Sequence, residues 1–327
     1  MTDIQTRKQE HIKLAQDPDS QSNYDLFQDI QLPYRALPEI NLADVDTSTK
    51  LLGKTISQPL IIASMTGGSA HAETINQNLA EAAEACQVAL GVGSQRVALV
   101  KPEATASFKF VRKYAPTAVI FANMGAVQLN YGHGIDSYRR VVDMVSADAL
   151  YLHLNPLQEA LQPEGDTNFS GLKDKIATLI SEIGVPVFVK EVGHGIDPQT
   201  FKDLVEIGVA GIDLAGVGGT SWAWIEGKRA GNDELPDWFK EFGIPTDQLL
   251  QSVKDIPRGK TKLVISGGIR TAIQGLKAHT LGADYYSAAQ PFLAPALDNT
   301  TAVIELINTW QKGLQIAMFG SGIKSWS

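Results

Sequence analysis

Four polar side chains crowd the end of one apolar run of the sequence. Residues 149–152 are followed by an imidazole, two amides and a carboxylate: His153, Asn155, Gln158 and Glu159. Two positions apart on a strand, His153 and Asn155 point to the same side. A buried histidine is usually a hydrogen-bonded core residue, but core packing does not require four such groups at one strand end. Gln158 does not titrate near neutral pH, so the group is suited to orient a polar ligand, and Glu159 is suited to Mg²⁺.

Lys190 lies inside another apolar run, residues 185–193. Three interpretations are open for a lysine in such a strand. It can form a structural ion pair with Glu159 or Glu191. It can be a Schiff-base lysine with a lowered pKa, as in an aldolase. It can also lie against a flavin ring and stabilise negative charge at N1–C2=O. Its position in the sequence does not separate these interpretations.

Two turns of small residues near the end of the chain are typical of a phosphate site. Residues 266–270 (SGGIR) open a helix, and residues 287–290 (SAAQ) open the next element. Such turns bind phosphate through free backbone N–H groups and the helix dipole. Glycines are also needed for tight turns alone. A matched pair of turns, after the last two of eight strands, favours phosphate.

Eight short β-rich runs, alternating with helical patterns, must position these groups. The predicted strands are residues 59–66, 88–94, 118–125, 148–155, 185–193, 211–218, 262–268 and 283–290. Runs that are mostly apolar throughout indicate parallel strands buried on both faces. We therefore predict an α/β fold, a closed (β/α)8 barrel, with an open doubly wound sheet as the alternative. The barrel is favoured because nearly every strand ends in small or polar residues, as if all ends faced one site.

Two segments stand outside this repeat. Residues 1–57 are predicted to be an N-terminal extension of a single domain whose barrel is residues 58–327. The extension is expected to cover the N-terminal side of the barrel or to reach its mouth. The segment from Trp222 to Leu263, after strand 6, is longer than an ordinary connection. Its aromatic residues predict a packed lid.

Composition excludes several classes of protein. The formal charge of −8 argues against a general nucleic-acid binder. Cys86 is the only cysteine, which excludes intramolecular disulfides and cysteine metal cages. The polar N-terminus does not resemble a signal peptide, and no apolar run is long enough to span a bilayer. We expect a soluble, cytoplasmic protein.

The sequence resembles the type 2, FMN-dependent isopentenyl diphosphate isomerases from near Arg7 to about Leu293. The matching segments are RKQEH (7–11), SMTGG (64–68), GVGSQR (91–96), HLNPLQEALQPEGD (153–166), KEVG (190–193), GVGGTSW with IE (216–226) and SGGIR (266–270). One departure is Gln290, where relatives more often place an arginine before the proline. The resemblance implies a barrel of the FMN-dependent oxidoreductase type and interconversion of isopentenyl and dimethylallyl diphosphate. It also implies Mg²⁺, NADPH as reductant, and a homo-oligomer of four or eight copies.

The resemblance assigns roles to individual positions. FMN would contact Ala63, Ser64, Met65, Thr66, Ser94, Asn123, Lys190 and Thr220, and its phosphate would lie among Gly267, Gly268, Arg270, Ala288 and Ala289. The substrate diphosphate would contact Arg7, Lys8, Ser94, Arg96, His153 and Asn155. Gln158 would lie beside the isoprenyl chain, and Glu159 would hold magnesium. Trp222 and Glu226 would close over the site. With Gln158 and Lys190 they are the candidate catalytic residues.

The implied reaction adds a proton at one carbon and removes another. An unactivated alkene is a poor base, so the reaction needs a close acid and stabilisation of cationic charge, which reduced flavin can supply. Lys190 would hold the reduced ring.

The alternative functions are a flavin oxidoreductase that carries out net redox chemistry, a Schiff-base aldolase that uses Lys190, and a noncatalytic flavin sensor. The first would have a histidine base near the flavin and no magnesium carboxylate.

Overall fold

Eight parallel strands close into a barrel, in which the first strand pairs with both the second and the last. The computed structural model describes residues 4–66, 70–232 and 234–327. The barrel strands are β3 Leu60–Ile62, β4 Ala89–Gly91, β5 Ile120–Gly125, β6 Ala149–His153, β7 Val187–Lys190, β8 Gly211–Asp213, β9 Lys262–Ile265 and β10 Tyr285–Ala288. They follow one another around the barrel in chain order, which confirms the predicted (β/α)8 fold.

Each predicted strand contains an observed strand, but the observed strands are shorter. Of the strand predicted for residues 59–66, Leu60–Ile62 forms the observed strand, and of the one predicted for 211–218, Gly211–Asp213 does. The residues beyond these points leave the sheet and form the turns at the mouth of the barrel. The small and polar residues at the strand ends therefore belong to the site and not to the sheet.

Helices surround the barrel. They are α1 Ile4–Ala15, α2 Ala70–Cys86, α3 Arg96–Val100, α4 Ala106–Lys109, α5 Val111–Tyr114, α6 Ile135–Met144, α7 Pro156–Leu161, α8 Leu172–Glu182, α9 Pro198–Glu206, α10 Trp222–Arg229, α11 Leu235–Phe239, α12 Thr246–Val253, α13 Ala272–Thr280, α14 Gln290–Asp298 and α15 Thr300–Ser321. Short 3₁₀ turns lie at Pro18–Ser20, Leu42–Asp44, Pro102–Thr105 and Ala126–Asn130. No helix of the described residues is long and apolar enough to cross a bilayer.

Side chains that point into the barrel divide it into two layers. The layer nearer the N-terminal ends is apolar and aromatic, with the rings of Phe121 and Tyr151 stacked at 4.4 Å. Nearer the C-terminal ends the inward residues become polar, as at Asn123, His153 and Lys190. The apolar layer fills the bottom of the barrel, and the polar layer faces its mouth.

The N-terminal extension covers the N-terminal side of the barrel and also reaches its mouth, the two placements expected from the sequence. An antiparallel hairpin, β1 Thr49–Leu51 and β2 Lys54–Ile56, packs Leu51 and Ile56 against the apolar layer at the bottom. At the other end, residues of α1 line the mouth. The segment between them runs beside the loop after β8, where Ser22 N donates to the Gly219 carbonyl at 2.8 Å.

The segment after β8 is helical where the sequence predicted a long loop with a packed lid. It carries α10, α11 and α12, which the sequence analysis did not locate. Trp224 is buried, and its indole N–H donates to Asp237 at 2.9 Å, as a packed segment requires. Trp238 is 70% exposed, so the aromatic residues of this segment do not all pack against the protein.

Candidate active site

One cavity at the C-terminal ends of the strands gathers nearly all the predicted site residues. It is lined by Ala63, Ser64, Met65, Thr66, Ser94, Arg96, Asn123, His153, Asn155, Gln158, Glu159, Lys190, Thr220, Trp222, Gly267, Gly268, Arg270, Ala288 and Ala289. Arg7 and Lys8 lie in α1, but their side chains are outside the described residues, as are Gly67 and Gly68. Glu226 contacts this set through Gln158.

Two sets of hydrogen bonds hold the side chains of the polar wall predicted at residues 153–159. Pro156 begins α7 immediately after β6, so Asn155, Gln158 and Glu159 fall three and four positions apart and share one face. Asn155 Nδ2 donates to Gln158 Oε1 at 3.1 Å and to Glu159 Oε1 at 3.0 Å. His153 Nδ1 lies 2.9 Å from Asn123 Oδ1. The wall therefore has a fixed geometry before any ligand binds.

Glu159 is buried at the back of this wall. Its Oε2 accepts the Asp166 N–H at 2.7 Å. Burial raises the pKa of Glu159, and the hydrogen bonds from Asp166 and Asn155 oppose that increase. The described residues contain no group of three or more side chains able to hold a metal by themselves. A cation here would take one protein carboxylate and complete its shell with water and phosphate oxygens, as Mg²⁺ commonly does.

Asp166 connects Glu159 to the predicted diphosphate ligand Arg96. The Arg96 guanidinium forms an ion pair with Asp166 Oδ2, which also accepts from Gln128 Nε2 at 2.9 Å. A planar guanidinium held on one edge by a carboxylate still offers N–H groups to a phosphate. Asp166 and Gln128 were not assigned roles from the sequence. Asp166 belongs to the matched segment at residues 153–166, and this was the signal available for it.

Lys190 is buried, and its Nζ donates to the Glu191 carbonyl at 2.5 Å. The Glu191 carboxylate is turned away and accepts the backbone N–H groups of Gly193 and His194 at 2.6 and 2.5 Å. Burial lowers the pKa of Lys190, and the charges of Asp213 and Glu191 oppose that change. A hydrogen-bonded ion pair with Glu191, one of the open interpretations, is therefore not formed in the described part of the chain.

The turn after β9 requires its glycines. Gly267 and Gly268 have φ values of +86° and +91°, in the left-handed region. A Cβ at Gly268 would lie 2.2 Å from the Gly218 carbonyl oxygen, because this turn packs tightly on the turn after β8. The Arg270 guanidinium follows and donates to Gln290 Oε1 and Gln21 Oε1, both at 3.2 Å. Gln290 is the position at which this sequence departs from the family pattern. Its side chain thus contacts Arg270, which belongs to the turn after β9.

A charged network joins α1 to α10 beside the cavity. Glu226 is fully buried, accepts from His11 Nε2 at 2.9 Å and forms an ion pair with Arg229. Gln158 Nε2 donates to Glu226 Oε1 at 3.2 Å. Burial alone would raise the pKa of Glu226, but His11 and Arg229 outweigh it and lower the pKa to about 2. The His11 ring also stands edge-on to Trp222, with centroids 5.1 Å apart. His11 was not assigned a role, although it ends the matched segment at residues 7–11.

Comparison with known proteins decides the family. The chain matches the family model for FMN-dependent dehydrogenases over residues 13–117 and 152–327. It is 45% identical to the isopentenyl-diphosphate delta-isomerase of Hydrogenovibrio crunogenus, over 98% of this chain and 94% of that protein. The same enzyme of Nostoc sp. is 44% identical over 97% and 92%. The chain belongs to the FMN-dependent isopentenyl-diphosphate delta-isomerase family.

Two solved structures share the barrel fold of this chain. A mandelate oxidase carrying an FMN adduct superposes with a TM-score of 0.63 at 17% identity, over 97% of this chain and 89% of the other. A flavocytochrome b2 superposes with a TM-score of 0.67 at 17% identity, over 90% and 73%. At such identities the likeness establishes the barrel fold and nothing about the reaction.

The cavity of this protein has side chains that fit FMN. The hydroxyls of Ser64, Thr66 and Ser287 are buried at the cavity and have no hydrogen-bond partner in the part of the chain that the structure describes. Buried polar groups are normally paired, so these three are suited to a polar ligand. A ring system with carbonyl and nitrogen edges, and a phosphate at the glycine turn, would satisfy them.

Proposed function

We propose that this protein interconverts isopentenyl and dimethylallyl diphosphate by adding and removing a proton, using reduced FMN and Mg²⁺. The observation that carries the proposal is one cavity that joins a phosphate-type turn, a buried lysine and a wall of amide, imidazole and carboxylate groups. Relatives more than 40% identical over nearly the full chain carry the name of this activity. The fold alone would not decide between isomerisation and net redox chemistry.

FMN would bind with its phosphate at one end of the cavity and its ring at the other. Its phosphate would accept backbone N–H groups of the turn at Gly267 and Gly268 and a hydrogen bond from Arg270. Its ring would lie over Lys190, where a positive charge opposes negative charge at the N1–C2=O edge. When bound and reduced, FMN would supply a proton and electrostatic stabilisation to the substrate. The remaining predicted contacts, Ala63, Ser64, Met65, Thr66, Ser94, Asn123, Thr220, Ala288 and Ala289, all line the same cavity.

The substrate diphosphate would bind to the polar wall. Arg96 is already oriented by Asp166, so binding does not have to order its side chain. His153 and Asn155 lie on the same wall, and Ser94 completes the described part of this set. Glu159 would hold Mg²⁺, whose remaining ligands would be water and the diphosphate itself. Arg7 and Lys8 are proposed to join from α1, on the family resemblance.

The isoprenyl chain would lie along the apolar part of the lining. Ile12 from α1 and Val97 and Leu293 from the barrel side contribute to it, and Val97 and Leu293 are buried. Residues His11 and Trp222 close the mouth above. Excluding water protects a carbocation-like centre from capture by solvent and strengthens every charge inside.

Glu226 is proposed to act through its charge. With a pKa of about 2 it is ionised at neutral pH and cannot donate a proton there. It fixes the Gln158 amide by the 3.2 Å hydrogen bond. An oriented amide backed by a carboxylate places negative potential beside a developing cation, the type of stabilisation that reduces an activation barrier. Lys190, Gln158, Glu226 and Trp222 remain the proposed catalytic set.

NADPH is proposed only as the reductant that brings FMN to its active state, because substrate and product have the same oxidation level. An assembly of four or eight identical copies in the cytoplasm is proposed from the family resemblance. Net-redox chemistry and a Schiff base at Lys190 are not favoured, because the relatives that span nearly the whole chain are isomerases.

The test is direct. The purified protein with FMN, Mg²⁺ and enough NADPH to reduce the flavin should convert isopentenyl diphosphate to dimethylallyl diphosphate, an allylic ester that acid cleaves rapidly. Omitting FMN or leaving it oxidised should abolish conversion. Conversion that is indifferent to the oxidation state of the flavin would contradict the proposal.

A further inference from the structure

A second charged side chain lies inside the barrel next to Lys190. Asp213 ends β8, and its Cα pairs in register with that of Lys190 at the end of β7. Both side chains point inward, and their exposed fractions are 0% for Asp213 and 8% for Lys190. Two ionisable groups have thus been placed on neighbouring strands in the polar layer beneath the cavity.

The two oxygens of the buried Asp213 carboxylate differ in their surroundings. Its Oδ1 accepts from Ser266 Oγ at 2.6 Å. Its Oδ2 is buried and has no hydrogen-bond partner among the described residues, and the same is true of the Tyr151 hydroxyl. The charge of Asp213 contributes, after burial, to raising the pKa of Tyr151. A carboxylate this buried is costly unless a positive charge opposes it.

The groups that face Lys190 leave Asp213 as its main counter-charge. From β6 come the Tyr151 phenol and the His153 imidazole, neither of which is an anion at neutral pH. The Glu191 carboxylate is occupied by backbone N–H groups. Burial lowers the pKa of Lys190 and raises that of Asp213, while the charge of each opposes the change in the other. Without Asp213, the charge of Glu191 would remain to oppose the effect of burial on the pKa of Lys190, and the larger opposing charge would be gone.

We propose that Asp213 is a positioning residue that keeps Lys190 protonated beneath the flavin ring. The proposal rests on the proposed function, in which Lys190 opposes negative charge on reduced FMN. A neutral lysine could not do this, and the protein would bind reduced FMN less tightly relative to oxidised FMN. Asp213 would therefore set the pH range over which the flavin is held in its active charge state, without touching the substrate.

The test compares Asp213→Asn with Lys190→Met through the midpoint potential of bound FMN, which gives the ratio of affinities for reduced and oxidised flavin. At about pH 6, Lys190 in Asp213→Asn should still be charged, and removal of a negative charge should leave the ratio equal to wild type or higher. As the pH is raised toward about 9, Lys190 in Asp213→Asn should lose its proton before Lys190 of the wild-type protein does, and the ratio should then fall below wild type by about tenfold. Lys190→Met should lie below wild type at both pH values.

The sign of the change separates this proposal from a simple charge effect. If Asp213 were only a negative charge near the ring, Asp213→Asn would bind reduced FMN more tightly at both pH values, and that result would overturn the proposal. Unchanged ratios at both pH values would overturn it as well. Asp213→Glu, which keeps the carboxylate, should restore the wild-type pH dependence.

A second measurement does not depend on flavin or on how Asp213→Asn folds. The ¹³Cε and ¹⁵Nζ chemical shifts of Lys190 in the wild-type protein, assigned with Lys190→Met, report its protonation directly. We expect a protonated ammonium group at neutral pH. A neutral amine there would overturn the proposal. Failure of the wild-type protein to bind FMN would instead count against the proposed function and would leave this titration readable.

Discussion

His11 Nε2 lies 2.9 Å from Glu226 Oε1, although 215 positions separate the two residues in the chain. His11 comes from α1 in the N-terminal extension, and Glu226 from α10 after β8. Arg229 adds a parallel link, with its Nε 3.1 Å from Glu10 Oε2. Two polar contacts between the same two helices hold the extension over the mouth of the cavity, so closure of the site depends on buried charge.

Glu226→Gln should destabilise the protein at neutral pH and make little difference in strong acid. The pKa of Glu226 is about 2 in the folded protein against an ordinary value of 4.5. A lowered pKa gives stability that is fully present above pH 4.5 and is lost as the pH falls toward about 2. The difference corresponds to about 3 kcal/mol. Urea unfolding at neutral pH and near pH 3 measures it.

The control for this prediction is Glu206→Gln, because the Glu206 side chain is 71% exposed and pairs with Lys173 on the surface. It should change the free energy of unfolding by less than about 1 kcal/mol at any pH. A Glu226→Gln protein that is destabilised equally at both pH values would show that the loss is one of packing and not of charge.

Glu159→Gln should reduce the response of activity to Mg²⁺ while the protein keeps its FMN. An amide binds a hard cation more weakly than a carboxylate, and Glu159 lies on the polar wall and not in the glycine turn that is proposed to hold the FMN phosphate. Activity titrated with Mg²⁺ and flavin content by absorbance are the two measurements. Loss of FMN with an unchanged Mg²⁺ response would mean that the wall has been assigned to the wrong ligand.

Arg96→Ala should raise KM for the diphosphate substrate by about ten- to a hundredfold, the value of a hydrogen bond to a charged group. Arg96→Lys should recover only part of this loss, since an ammonium lacks the planar fork that contacts Asp166 and phosphate together. Arg139→Ala is the control, because its ion pair with Asp136 is exposed. A KM unchanged in Arg96→Ala would place the diphosphate elsewhere.

Gln21→Ala should weaken FMN binding by about three- to tenfold and leave riboflavin binding unchanged. Gln21 contacts both Arg270 and the Thr220 hydroxyl, at 3.2 and 3.0 Å, so it orients the arginine that would meet the phosphate. Fluorescence titrations with the two flavins give the comparison, with Gln199→Ala, an exposed helix position, as control. Equal weakening for both flavins would indicate a general effect on the N-terminal segment.

The barrel and most of the cavity could be predicted from the sequence because they follow from local pattern. Eight apolar runs predict eight strands, and parallel strands of a barrel must bring their C-terminal ends together. That rule alone places His153, Lys190 and Gly267 around one mouth. The division at residue 57 between extension and barrel stays a prediction, as do the roles of the individual site residues.

The contacts that the sequence did not predict join distant parts of the chain. The pairing of His11 with Glu226 depends on where a helix outside the repeat docks, which no periodicity encodes. Asp213 lies within a predicted strand, and its significance depends on the register with β7. Strand lengths were overestimated because small residues after each strand are compatible with both a strand and the turn that follows it.

The most direct test of the proposed function is to run the isomerisation in deuterated water and to measure NADPH consumption in the same reaction. If reduced FMN serves proton transfer, the five-carbon product should carry solvent deuterium, and NADPH should be consumed only in the amount needed to reduce the enzyme. Turnover should continue long after that amount is spent. One NADPH or one oxygen molecule consumed for each substrate molecule, with no dimethylallyl diphosphate formed, would contradict the isomerase function.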